Sequence, residues 1–421
     1  MTTPLRARWR AAASLVARTR DVLDARPGSA RSERDGVPGP LASRGWASFL
    51  LSLGDARVEA FEARGRGADW TQDAPPSLAA LVEEIRGVCA LPSLAAGQEI
   101  GSKLTIAPRP AKRLETPRKR AQIDAFARLV VPIASRATRV VDVGSGHGHL
   151  TRELAERVAL PVVGLERDVD LARRARAFPS HGDAVFSVTD VLRDGLGLLP
   201  GDCVIGLHAC GELGDAMVES VGRVAAPIAE PSRARASIAL VGCCLQKRRA
   251  ASRAPLVASP ALESALDLPR PLLGLSNLTT RDDGVEATRA DNLAGRQRRL
   301  ALHRLLSLRL GPMRLGSEID GLNRRAAHGE LALLVTRAFQ HRGLAMPSAA
   351  EIDAASAWAR AEHARFRRLS LPRSMLARVL EVFVLLDRAL YLEERGFVVS
   401  IGTVFAERVS ARNLALVATR S

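Results

Sequence analysis

Thr138-Arg139-Val140-Val141-Asp142-Val143-Gly144-Ser145-Gly146-His147-Gly148-His149-Leu150 is the stretch whose reading decides the fold. Thr138 to Val143 reads as a buried strand, because it is short, apolar and β-branched. A glycine-rich turn follows, then a helix from His149 to Val158. Glycines at such a turn let the backbone bend sharply and approach a ligand closely. The same rhythm continues downstream. Pro161–Leu165, Ala184–Val188, Cys203–Leu207 and Ser237–Gly242 read as strands, with helices at Asp168–Ala177 and Leu213–Val224. Apolar strands alternating with helices predict a parallel sheet covered on both faces. Right-handed crossovers make that sheet doubly wound.

The turn Gly144-Ser145-Gly146-His147-Gly148 has GxGxG spacing, since position 149 is His. Dinucleotide enzymes place a pyrophosphate on the helix N-terminus and use the wider GxGxxG. A cofactor without phosphate fits the tighter loop, and S-adenosylmethionine is such a cofactor. Acid spacing strengthens the reading. Asp142 precedes the turn, Glu166 ends the second strand and Asp190 follows the third, with 24 residues between successive acids. Each gap equals one strand–helix repeat, so all three acids fall on the carboxyl edge of the sheet, where ligands bind. Asp142 suits the cofactor ammonium, Glu166 the ribose hydroxyls and Asp190 an adenine amine. Arg167 and Val191 flank the last two. Turn or cap duty is the plainer alternative for Glu166 and Asp190.

His208-Ala209-Cys210-Gly211-Glu212 closes the fourth strand. His208 is a candidate general base, or a histidine that shapes the cofactor pocket. Cys210 is a candidate catalytic thiol, or a small buried residue. Cys243-Cys244 ends the fifth strand. Neighbouring strand residues point to opposite faces, so the expectation is that these two thiols do not share a metal. Cys243 is a candidate for lining the acceptor pocket. A thiol attacking a cytosine base is a sharper idea, but the Pro-Cys context of such enzymes is missing. Arg118 and Lys119, in Thr116-Pro117-Arg118-Lys119-Arg120, are candidates for holding a substrate phosphate or acid. The alternative is a solvated helix start with Pro in an early position.

The 421-residue chain is 47% hydrophobic, enough for a large core. Its net charge of +16 suits a polyanionic partner. Only four of the 61 basic residues are lysine (Lys103, Lys112, Lys119, Lys247), so arginine-rich codon usage explains the charge equally well. Five cysteines, without a CxxC pair, exclude a disulfide framework and point to a reducing cytoplasm; no structural zinc site and no other metal is expected. The expected layout has a helical region over 1–110 with a Pro/Gly/Ser/Arg-rich linker at 26–45, and a cofactor-binding core over 111–245. An Arg-rich, mainly helical insertion over 246–370 precedes a helix and hairpin over 371–421. Within the last part, Arg373–Arg395 reads as a helix, and Phe397–Phe405 and Asn413–Thr419 as strands. The chain has no run of eighteen or more apolar residues, so no membrane helix is expected.

Taken together, the motifs resemble a methyltransferase-like family carrying methyltransferase domain 32, which includes animal proteins named for a ribosomal RNA adenine dimethylase domain. The likeness rests on Thr116-Pro117-Arg118-Lys119, Asp142 to Leu150, Gly206-Leu207-His208-Ala209-Cys210-Gly211-Glu212-Leu213, Gly242-Cys243-Cys244, and Ser410 to Ala418. Ala121 and Gln122 stand where that family carries His-Glu. A more distant family that methylates tRNA ribose 2′-hydroxyls shares the His-x-Cys-Gly element. The resemblance implies a class I, Rossmann-like methyltransferase fold of seven mostly parallel strands with a terminal antiparallel hairpin. It implies S-adenosylmethionine as cofactor and RNA (ribosomal or transfer) as acceptor. A protein acceptor, or an RNA-binding module without turnover, are the rivals. The basic insertion and the helical N-terminal region are then expected to grip the substrate.

Overall fold

The computed structural model describes residues 3–28, 33–34, 36–64, 71–94, 115–179, 182–224, 236–258, 266–276, 289–407 and 409–420. Seven strands form one sheet: β1 (Arg139–Val143), β2 (Val162–Glu166), β3 (Ala184–Val188), β4 (Asp202–Cys210), β5 (Ser237–Cys243), β6 (Phe397–Thr403) and β7 (Leu414–Arg420). Their spatial order is β6-β7-β5-β4-β1-β2-β3. The pairs among β1 to β5 are parallel, and β7 runs antiparallel to both β5 and β6. Sequence order reverses beside β1, so the carboxyl ends of β1, β2 and β4 bound the crevice of a doubly wound sheet.

The central strands are buried on both faces, as Val140, Val141, Val204, Ile205, Ile238 and Ala239 show. Helices accompanying the sheet include α1 (Pro4–Arg18), α2 (Pro117–Ala134), α3 (His149–Ala155) and α4 (Val169–Ala177). Another, α5 (Glu212–Val224), follows β4. Helix α2 starts as its sequence dictates. Thr116 caps it, accepting the Lys119 N–H at 3.2 Å, and Pro117 occupies its first position. Ile123, Phe126, Ala127 and Val130 form its buried stripe at helical spacing. Each large member contributes roughly 1.5–3 kcal/mol of burial.

Two compact units emerge. The first comprises residues 1–18, 88–280 and 378–421; the second comprises 19–87 and 281–377. These boundaries differ from the sequence-based layout. The described residues 246–258 and 266–276 belong to the sheet-bearing unit, where a buried ion-pair network holds Arg253. Arg253 donates to Asp215 at 3.0 Å and to Asp387 at 2.7 Å, and Arg388 donates to Asp215 at 2.9 Å. Helix α1 joins the same unit. Its Trp9 packs against Phe383 and donates its indole N–H to Asp387 at 3.3 Å. Composition distinguishes neither attachment, because both depend on partners far away in sequence.

The second unit is helical. Its core joins α6 (Arg289–Leu310), α7 (Leu331–His341) and α8 (Ala349–Leu369) through Leu302, Leu306, Val335, Phe339 and Ala359. A capping box of Ser348 and Glu351 starts α8. Part of the expected 26–45 linker is ordered: Val37–Pro38 pairs with Glu33–Arg34, and Gly39–Ser43 is a short helix. Residues 29–32 and 35 lie outside the described residues, as does the expected boundary at Pro108-Arg109-Pro110. A further helix, α9 (Leu371–Glu393), leads into β6. Among the described residues no helix is long and apolar enough to cross a membrane.

Candidate functional site

The rim of the crevice is built from three adjacent strand ends. In the register of the sheet, Asp142 on β1 pairs with Gly164 on β2, and Glu166 on β2 pairs with Val188 on β3. Asp190 follows β3 by two residues. The three acids therefore share one edge, as their even spacing predicts.

Each acid is held by its own local bonds. Asp142 is buried and accepts the Thr151 hydroxyl at 2.7 Å. Burial pushes its carboxyl up to about 6, against the opposing pull of the Thr151 bond and of the Lys119 charge. Glu166 accepts the Gly146 N–H at 2.9 Å and the Asp168 N–H at 3.0 Å. Its carboxylate is thus fixed against the glycine loop, and each oxygen keeps a lone pair for a ligand. Asp190 caps the short helix Val191–Asp194 through the Leu192 N–H at 3.2 Å, and pairs with Arg249 at 3.2 Å. The cap reading therefore applies to Asp190 alongside its place on the rim. Arg167 is exposed at the turn after β2, and Val191 is buried.

The loop between β1 and α3 is shaped by close packing beneath it and open space above. Gly148 has φ +72°, and a Cβ there would collide with the Phe186 ring. A Cβ on Gly146 would meet nothing within 4 Å, and one on Gly144 only Leu213 at 3.8 Å. The Ser145 hydroxyl is buried without a partner among the described residues. An orphaned buried hydroxyl beside an open glycine bend is what a bound polar ligand would satisfy.

Next to this rim, β4 carries a bulge. Its pairing with β5 shifts between Leu207 and Ala209, and the residue between them, His208, has φ +69°. The strand was expected to end at Leu207; the bulge lets it resume to Cys210. A left-handed histidine is strained, and such outliers cluster at functional sites. His208 Nε2 lies 3.0 Å from Gln122 Oε1, and the ring packs edge-on against Phe405. Its Nδ1 is buried without a partner among the described residues. Burial lowers its pKa to about 4, helped by the charges of Lys119, Arg412 and Arg118. The imidazole is therefore neutral at ordinary pH. With Gln122 Oε1 accepting, Nε2 carries the proton and the Nδ1 lone pair is free.

Lys119 and Arg118 take different places. Lys119 is half-buried; desolvation lowers its pKa, and Asp142, Glu115 and Cys243 oppose that with their charge. It thus faces the same ends of β1 and β5 as the candidate site. Arg118 is exposed and donates to the Val409 carbonyl at 2.7 Å.

The cysteines correct an expectation. Strand alternation was taken to keep Cys243 and Cys244 apart, but the Sγ atoms of Cys210, Cys243 and Cys244 all lie within 4.8 Å of one another. Alternation holds only inside a strand, and β5 ends at Cys243. Cys244 has φ +37°, which turns its side chain back toward its neighbour. None of the five cysteines is in a disulfide. Gln122, Thr151 and Arg249 were not singled out from sequence. For Gln122 the available signal was its position in the family motif; Thr151 and Arg249 have no sequence signature.

Residues 118–250, less than half of the chain, match a family profile described as a methyltransferase domain. Together with the strand order and the terminal antiparallel pair, this makes the fold that of a class I methyltransferase, as the sequence implied. Solved structures with partial likeness include the plantazolicin methyltransferase BpumL with a pentazolic desmethylPZN analog and SAH. It is 15% identical over 31% of this chain and 49% of its own, with a TM-score of 0.23. A TehB-like SAM-dependent methyltransferase from Corynebacterium glutamicum is 23% identical over 27% of this chain and 61% of its own, at TM-score 0.21. The mycolic acid cyclopropane synthase CmaA1, complexed with SAH and CTAB, is 19% identical over 29% and 41%, at 0.22. This chain spans only about half the length of these proteins in the matched part, and likenesses at this level identify no substrate.

Proposed function

We propose that this chain transfers a methyl group from S-adenosylmethionine to RNA. The observation that carries the reading is the rim of Asp142, Glu166 and Asp190 on three neighbouring strand ends, beside an open glycine loop with an orphaned buried hydroxyl. The residues fit such a cofactor. Asp142 would hold its ammonium, Glu166 its ribose hydroxyls and Asp190 its adenine amine. Gly144, Ser145, Gly146 and Gly148 would pass beneath it, and Arg167 and Val191 would flank the ribose and base. When bound, S-adenosylmethionine supplies a sulfonium methyl carbon open to in-line displacement.

The chain's own work is alignment and proton handling. Gln122 holds the His208 ring, and the free Nδ1 lone pair of His208 can take a proton from an acceptor hydroxyl or ring nitrogen. Its low basicity suits a proton that becomes acidic only as the new bond forms. Cys210 and Cys243 sit behind His208, each directed at its carbonyl oxygen, at 3.3 and 3.1 Å. That placement favours a supporting role over nucleophilic attack. Lys119 would offset negative charge at the site, with Arg118 nearer the surface.

The RNA acceptor is supported by the +16 charge and by the family resemblance. Cytoplasmic location fits five cysteines outside any disulfide. Tritiated-methyl transfer into fractionated RNA and protein from cells lacking the gene tests the whole reading. Label in RNA is expected. Label in protein would replace the acceptor, and cofactor binding without any transfer would leave a binding module.

A further inference from the structure

We propose that Cys210, Cys243 and Cys244 form a three-thiolate site for a thiophilic closed-shell metal ion, with zinc(II) as its probe. Its test does not depend on the methyl-transfer reading, although Cys210 and Cys243 lie behind His208. Cys210 and Cys243 face each other in the parallel register of β4 and β5, and their Sγ atoms are 2.8 Å apart. That is closer than uncharged sulfurs ordinarily pack, yet longer than the ~2.0 Å of a disulfide bond.

The third sulfur is brought in by a clamped turn. The Lys247 N–H donates to the Cys244 carbonyl at 2.8 Å, and the Lys247 carbonyl accepts the Glu212 N–H at 3.1 Å. Gly211 has φ +51°, and a Cβ there would strike the Lys247 carbonyl, so this close approach requires glycine. The turn holds Cys244 in its left-handed conformation. Strain at both His208 and Cys244 thus directs three thiols to one point.

The donor chemistry selects the ion. Three thiolates suit zinc(II) or copper(I) and not magnesium or calcium. Around zinc, bonds of ~2.3 Å put sulfurs roughly 3.8 Å apart, within reach of small side-chain rotations from this cluster. Three thiolates and a dication leave one negative charge. Arg412 donates to the Cys244 sulfur at 2.9 Å, so a guanidinium stands ready to balance it. Beside two of the three thiols, a small cavity of about 30 Å³ whose lining includes Cys243, Cys244 and Arg412 has room for a water. Among the described residues no other group of three His, Cys, Asp or Glu side chains converges in this way.

The test uses the full chain, kept reduced, stripped with a chelator and titrated with zinc against a chromophoric competitor. One zinc per chain is expected, and cobalt(II) in its place should show thiolate-to-metal charge-transfer absorption. Cys244→Ala should weaken zinc at least about tenfold while Cys89→Ala, away from the cluster, leaves it unchanged. Circular dichroism checks that both variants fold, and Cys243→Ser gives a second, milder probe. Absence of zinc binding by the folded protein overturns the proposal, as does equal affinity in Cys244→Ala and Cys89→Ala.

Discussion

His208 Nε2 and Gln122 Oε1 lie 3.0 Å apart, joining the bulge of β4 to the first third of α2 across 86 residues of sequence. Gln122 occupies the position where the resembled family carries Glu. An amide there orients the ring without charging it. That difference leaves a neutral imidazole whose pKa burial holds near 4.

Exchanging this partner should move the pH profile. If neutral His208 takes the proton, turnover rises with pH through about 4 and is level above it. Gln122→Glu adds a negative charge that stabilises the imidazolium, so the acidic limb should shift upward by about one unit or more. Gln122→Ala should lower kcat roughly tenfold with little change in cofactor affinity. An unmoved limb in Gln122→Glu would remove His208 from the role of base.

Glu166→Ala should weaken S-adenosylhomocysteine binding by about 1–3 kcal/mol, since bonds to a carboxylate are charge-assisted. The loss has two sources. The ligand loses its acceptor, and the Gly146 and Asp168 N–H groups lose theirs. Calorimetry reads it directly, and an unchanged dissociation constant would count against Glu166 as a cofactor ligand.

Asp142 couples the stability of the fold to pH. Its folded pKa is raised from 3.8 to about 6, so between those values the folded state holds a proton that the unfolded chain has released. Stability therefore falls as pH rises through that window, and the full cost is present above about 6. Asp142→Asn keeps an acceptor for Thr151 and removes the charge. It should raise the unliganded protein's stability at about pH 8 by up to about 3 kcal/mol, with no gain below about pH 4. The same variant should lose cofactor affinity. Urea melts at the two pH values check the first part; a destabilised variant at the higher pH would contradict it.

Asp215 is the hub of a buried cluster, bonded to Arg253 and Arg388 and held well below the usual carboxylate range by their charges. Removing it leaves the buried Arg388 guanidinium with only the Gly211 carbonyl and leaves Arg253 with Asp387 alone. Asp215→Ala should cost about 3–5 kcal/mol. A urea midpoint within experimental error of the parent would show that water or rearranged partners replace the carboxylate.

Much of this architecture was legible in the sequence. Val140-Val141 and Ile238-Ala239-Leu240-Val241 are short apolar runs, rich in β-branched residues, that suit a strand covered on both faces. The bulge at His208 was not legible, because nothing in Gly206-Leu207-His208-Ala209-Cys210 announces a left-handed residue. Strand alternation then misled at Cys243-Cys244, where the chain had already left the sheet. The attachment of residues 246–258 and 266–276 was equally hidden, since Arg253 meets Asp215 and Asp387 from elsewhere in the chain.

Local periodicity alone, then, determined the repeating strand–helix units and the shared edge on which Asp142, Glu166 and Asp190 fall. A repeat of constant length returns the chain to the same rim each time, whatever else it packs against. Tertiary structure decided where the imidazole and the three thiols point. Their directions hang on single backbone dihedrals at His208 and Cys244, and those are imposed by a partner helix and by a turn seated on Gly211.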